Sequence, residues 1–428
     1  MMHKFQKIII VVIGLILISI LALFLCSTKI LKKAVDDCNP ELAKFAILLG
    51  GDVNAQYDYT PLLLSARLRN GERCPEVPKI LIDAGADVNA VEAYSNNPVL
   101  GVASTFDDIE MAKMLINAGA DVNAISGDEP ILSDVIIWNG IEFLKLLIDA
   151  GADVNVRYDR GERYEEGLTP LQYVSTKLGP SDTQTEKAKL LIDAGADVNA
   201  IVTVKTGIKN LKWIRTPLTF AVENDSNKLV RLLINRGADV KFKGFKDQTP
   251  LHVCVESPWY DNFENRLDII KALAEAGADV NAKDSDGNTA LHALSYDILG
   301  YKGKDEAAKQ LISVGADVNI KNNQGETPLS MIIRGRKEVT SRIMIAKILL
   351  NAGADVNITA NDGDTALHGA VSYNEVEFVK LLIDAGADVS IVNNDGKTAL
   401  DLANSPEIQE MLKNAAAAQK QKQNSNDG

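Results

Sequence analysis

The strongest constraint on this chain is that it repeats itself. The phrase GGDVNA at Gly50 returns as GADVN at Gly85, Gly119, Gly151, Gly195, Gly277, Gly315 and Gly353, with GADVK at Gly237 and GADVS at Gly386. A second phrase alternates with it: TPLL at Thr60, TPLQ at Thr169, TPLT at Thr216, TPLH at Thr249, TALH at Thr289 and Thr365, TPLS at Thr327 and TALD at Thr398. NPVL at Asn97 and EPIL at Glu129 are degenerate copies, and the shortest unit, Gly353 to Gly386, is 33 residues long. Self-similarity at this period specifies a stack of supersecondary units, none of which can bury its apolar face alone.

The local chemistry of one unit follows from its residues. In EFVKLLIDAGADV, Phe378, Leu381, Leu382 and Ala385 recur at three and four residues and form one apolar helical stripe. Gly386 then supplies the left-handed residue that ends a helix. Asn393, Asn394, Asp395 and Gly396 carry turn chemistry, and Thr398 suits an N-cap. In sister units proline follows the threonine, at the first helical position, where its missing N–H does no harm.

These phrases, at this period, resemble the ankyrin repeat from about Ala34 to Asn414. The resemblance implies an all-α ankyrin-repeat solenoid of helix-turn-helix units joined by β-turn or hairpin fingers, about ten repeats across 34–414. It implies a half-repeat cap at the start, over Ala34 to Leu49, and a more polar helix, TALDLANSPEIQEMLKNA, at the end. The tail 415–428 lacks apolar periodicity and reads as disordered.

Ahead of the repeats, Ile8 to Cys26 carries no charge in nineteen residues, enough helix to span about 30 Å of hydrocarbon. A cleaved signal peptide would have a shorter apolar core and a small-residue site, and Leu25 spoils a lipoprotein box at Cys26. The expectation is therefore a short tail (1–7), one transmembrane helix (8–26) and a basic juxtamembrane linker (27–33). The chain would be a single-pass membrane protein with its repeats on the exported side, although the flanking lysines are nearly balanced. Near-identical LIDAGADVNA copies behind a short anchor suggest a bacterial cell envelope.

With the repeated phrases maintaining the fold, function should lie where units differ. From Gly to Thr the regular units have twelve residues, but Gly151 to Thr169 has eighteen and Gly195 to Thr216 twenty-one. The resemblance implies that such fingers, with the first helices, line the concave face that takes partners. Tyr57, Tyr59, Tyr94, Arg157, Tyr158, Arg163, Tyr164, Trp213, Arg215, Phe242 and Phe245 all fall in finger regions, and these residue types dominate interface hot spots. Any one of these aromatics could instead pack its own finger down. Lys205, Lys209, Lys212, Lys241, Lys243 and Lys246 make a local basic patch, suited to an acidic partner surface, lipid headgroups or plain solvent.

The expected function is a non-catalytic protein-protein interaction scaffold. A secreted effector binding host proteins, or a tether with no specific partner, are the alternatives. A net charge of −13 argues against nucleic acid as partner. Neither cofactor nor metal is expected. His252, His292 and His368 each end a T-x-L-H phrase, about one repeat apart and too distant to share an ion. Asp284-Ser285-Asp286-Gly287 lacks the remaining calcium ligands. Cys26, Cys38, Cys74 and Cys254 show no paired spacing and read as packed or idle.

Overall fold

The computed structural model describes residues 2–67, 74–127, 129–138, 140–158, 167–176, 181–205, 212–256, 263–296, 303–334 and 339–426. They form two compact units, the first comprising residues 1–174 with 186–197, the second 175–185 with 198–428. Each is a helical solenoid of paired helices. From the second repeat on, a Leu of the second helix, Leu81, Leu115, Leu147 and Leu191 in the first unit and Leu233, Leu273, Leu311, Leu349 and Leu382 in the second, is fully buried. Truncating any one of them to alanine would cost about 2–5 kcal/mol.

The recurrent glycine closes each of these helices. At Gly85 (φ 85°) the Ala86 N–H donates to Leu81 O at 2.9 Å and the Gly85 N–H to Ile82 O at 3.0 Å, which satisfies two carbonyls left open at the helix end. The rest of the phrase stitches repeats together. Asp87 accepts from the N–H of Asn89, two residues on, at 2.9 Å, and the Asn89 carbonyl oxygen accepts from the N–H of Asp121 in the next repeat at 2.8 Å. The same amide can also donate, as Asn54 does to Gly85 O at 3.1 Å. In the second unit Asn199, Asn281, Asn319 and Asn357 accept from Asp239, Asp317, Asp355 and Asp388, each at 2.8 Å. GADVN is therefore a hydrogen-bonded rung. One rung is missing: at the GADVK variant an ammonium stands where the amide would be, and Lys241 has no oxygen with which to accept the next N–H.

The first and last phrases are each tied by a residue outside them. Asp52 N–H donates to Thr28 Oγ1 at 3.1 Å. After the last repeat, the Gln419 amide donates to Ala387 O at 2.7 Å and accepts from Val389 N–H at 3.3 Å. The helix carrying Gln419 spans Pro406–Asn426, through the residues read from sequence as a disordered tail.

Thr28 belongs to the first helix, α1 (Met2–Asp36), and here the structure corrects the sequence expectation. The chain does not pass from an anchor through a linker into a half-repeat. The end of α1 packs against α2 (Pro40–Leu48) and α3 (Pro61–Arg67), burying Ser27, Thr28, Leu31, Ala34 and Val35, and so serves as the first helix of a complete repeat. Residues 27–33 are helix, not linker. Among the described residues, no helix is long and apolar enough to cross a membrane. The expected transmembrane helix, membrane anchoring through it and single-pass localisation with exported repeats are thereby overturned. The physical reason lies in the end of α1, where Lys29, Lys32, Lys33 and Asp36 interrupt the apolar character and Leu31, Ala34 and Val35 are committed to packing against neighbouring helices.

Helix pairs are joined in two ways. Tight joins put a residue twelve before the repeat glycine into the left-handed region: Asp107 (φ 51°), Asp225 (φ 54°) and Asn374 (φ 56°), the residue types that tolerate it. Longer joins place a side chain at the following repeat position, eleven before the glycine. Arg266, fully buried, donates to Cys254 O at 2.6 Å and pairs with Asp225 of the preceding repeat at 2.5 Å. Arg342 donates to Ile332 O at 2.8 Å and to Glu375 at 2.9 Å.

Candidate partner-binding surface

In the first unit the fingers carry cation-flanked tyrosines. Lys32 Nζ lies 5.3 Å from the centroid of Tyr57, and the Arg67 guanidinium 4.6 Å from that of Tyr59. Arg67 also pairs with buried Glu92, which accepts from Ser95 Oγ as well, so the second finger is held from the first. Tyr94 rides on that finger and is 93% exposed. The next finger is a minimal hairpin, β1 (Ile125–Ser126) with β2 (Glu129–Pro130), tied back by Ser126 Oγ to Asn97 at 2.9 Å. Tyr158 is buried, its ring 5.7 Å from Tyr173, and Arg157 donates to Gly167 O at 3.4 Å. Both therefore hold their own finger together. Arg163 and Tyr164 lie outside the described residues.

The second unit brings its candidates closer. The long finger is a hairpin of β3 (Val202–Lys205) and β4 (Lys212–Arg215), with Val204 opposite Trp213 and Lys205 opposite Lys212. Trp213 is 38% exposed and its ring lies 5.5 Å from Phe245 on the following finger. Arg215 stacks over Trp213 at 5.0 Å and is itself buried, fixed by Glu223 at 2.6 Å. The two fingers approach closely because residue 244 is glycine: a Cβ there would meet Ile214 O at 2.8 Å. Lys246 (φ 53°) and Asp247 (φ 58°) turn the tip, Lys246 pairing with Asp286 at 3.2 Å. Phe242 is half-buried beneath, while Lys241 and Lys243 are exposed. Lys209 lies outside the described residues. The result is a stacked aromatic pair with cations around it, on a buried support.

The T-x-L-H histidines are structural. In each, Nδ1 meets the hydroxyl of its own threonine, at 2.9 Å for His252 and His292 and 2.8 Å for His368. Nε2 meets the next repeat at Asn288 O (3.0 Å), Glu326 O (3.1 Å) and Lys397 O (3.1 Å). Burial holds His252 below its ordinary range and pushes His292 down to about 4. Burial likewise raises the Cys254 thiol to about 12, so it is no nucleophile. No group of His, Cys, Asp or Glu suited to a metal ion occurs among the described residues.

Sequence reasoning missed one pair altogether: Cys38 and Cys74 are joined by a disulfide, with Cα atoms 6.0 Å apart. Their separation of 36 says nothing alone, but their places in the period do. Cys38 is twelve residues before Gly50 and Cys74 eleven before Gly85.

Comparison with known proteins agrees with the geometry. A family profile described as "Ankyrin repeats (3 copies)" matches residues 31–126, 201–284, 262–359, 291–391 and 341–424, more than half of the chain. Ankyrin repeat and SOCS box protein 6 from Mus musculus is 38% identical over 82 residues, and that from Homo sapiens 39% over 82 residues, in each case 19% of this chain and 18% of the relative. The chain thus spans less than a fifth of the curated relatives it matches. Among solved structures, the ankyrin repeat domain of Bcl-3 aligns with 58% of this chain and 99% of its own, at 26% identity and a TM-score of 0.47. The human ASB11 ankyrin repeat domain aligns with 58% and 98%, at 24% identity and a TM-score of 0.44.

Proposed function

Because the chain belongs to the ankyrin-repeat family, whose repeats are a protein-protein interaction fold, we propose that it is a non-catalytic binding module whose partner seats on the fingers of the second unit. The observation carrying this reading is the partly exposed Trp213 stacked on Phe245, with Arg215 over the one ring and Lys246 over the other, beside a finger that also carries exposed Lys241 and Lys243. A rigid aromatic on a buried support loses little side-chain entropy on binding, and surrounding cations favour an acidic partner surface. Tyr57, Tyr59 and Tyr94 form a second, smaller contact zone on the first unit.

The test is crosslinking and quantitative capture of a partner, followed by the W213A/F245A pair. Capture should fall at least tenfold with an unchanged far-UV spectrum, and raised salt should weaken the wild-type complex. A chain acting only as a spacer would show no partner loss on that substitution, and that outcome would sink the reading.

A further inference from the structure

The disulfide Cys38–Cys74 and the ion pair Asp225–Arg266 are the same link made twice. Each joins the residue twelve before one repeat glycine to the residue eleven before the next: Cys38 and Cys74 before Gly50 and Gly85, Asp225 and Arg266 before Gly237 and Gly277. Cys38 has φ 49°, in the left-handed region that aspartate or asparagine fills at the other tight joins. A cysteine departs from that turn chemistry, and the covalent bond is the one gain visible there. Cys254 is buried with its thiol pushed up and stays out of exchange, which leaves Cys26, exposed on α1, as the other thiol within solvent reach.

We propose that Cys38 and Cys74 form a redox-set staple that governs how firmly the first finger, with Tyr57 and Tyr59, is presented. The closed loop contains all of that finger together with α2 and α3. Resting on the binding reading above, this assigns that module a point of control. The chemistry is thiol–disulfide exchange with a small-molecule disulfide. One Cys thiolate attacks a donor sulfur, forming a mixed disulfide and releasing one donor thiolate. The other thiolate then attacks the protein sulfur of that mixed bond, closing Cys38–Cys74 and releasing the second donor thiolate. Two protons go to solvent, and the donor takes the two electrons.

Hydrogen exchange of the full chain, read by peptide after incubation with oxidised glutathione and again after a thiol-free phosphine reductant, tests this without any partner. The oxidised chain should yield the 38–74 cross-linked peptide. Reduction should speed exchange in residues 39–67 and 76–90 at least tenfold while leaving 263–296 unchanged. The C38D/C74R variant, which copies the ionic version, should exchange like the oxidised chain under both conditions. Alkylation of both thiols in the oxidised sample, or identical exchange of the first two repeats in both states, overturns the proposal even if the W213A/F245A result stands.

Discussion

Two places in this molecule solve the same joint differently. At the start of the first unit, successive repeats are tied by the Cys38–Cys74 bond; in the middle of the second, by a fully buried guanidinium paired with Asp225. The covalent link is independent of dielectric. The ionic one is sensitive to it, because burial raises the Asp225 carboxyl above its ordinary range despite the neighbouring Arg266. Arg266 therefore needs both its partners, the carboxylate and Cys254 O, to sit where it does. The comparison teaches that the stack requires a fastening wherever a longer join abolishes the tight turn, and that its chemistry is negotiable.

The largest expected effects come from breaking either version. Arg266→Ala leaves a half-buried carboxylate and an open carbonyl, and should destabilise the second unit by about 3 kcal/mol, read as a shift of its urea midpoint. Reducing the covalent version should cost the first unit about 2–4 kcal/mol by the same measurement. A second unit indifferent to Arg266→Ala would break the equivalence. Converting one into the other, with D225C/R266C, should restore much of what Arg266→Ala loses under oxidising conditions.

Acid separates the two regions further. His252 and His292 have folded pKa values below their unfolded value, so the neutral rings favour the folded state at neutral pH. That contribution is present above about pH 6.5 and is lost as pH falls toward about 4, the value for His292. Asp225 and Glu256 run oppositely: their raised pKa values make ionisation unfavourable to folding, so acidification relieves a penalty there. The His292 share is isolated by comparing thermal melts of the wild type and H292Q, and between about pH 6.5 and 4 the wild type should lose about 2–3 kcal/mol more than the variant. The disulfide link does not titrate. The smallest change expected is a gain: Lys241→Asn restores the missing rung and should raise stability by about 0.5–1 kcal/mol.

Much of this could be read from residues alone. The helix pair, its Schellman glycine and the T-x-L-H turn were legible because each rests on local chemistry repeated many times. The finger bearing Trp213 was legible as an insertion, but its contact with Phe245 depends on the absence of a Cβ at Gly244. The N-terminal apolar run hides the repeat boundary because the helix does not stop at Cys26: Leu31, Ala34 and Val35, beyond the run, are buried against neighbouring helices. The cysteine pair is invisible to linear spacing, and only phase in the repeat brings its two members into register. Tyr158 is of a type that interfaces favour, and burial gives it a packing task instead.

The terminated rungs have a consequence for assembly. A stack of near-identical units presents at each end the complement of what the other end offers, which is the recipe for head-to-tail polymerisation into open filaments. Here the Asp52 N–H is already taken by Thr28, and at the last phrase Ser390 stands where the bridging Asn would be, its hydroxyl donating to Asp388 at 2.7 Å. Another copy arriving end-on would find those groups occupied, so growth by that route is blocked from within the chain.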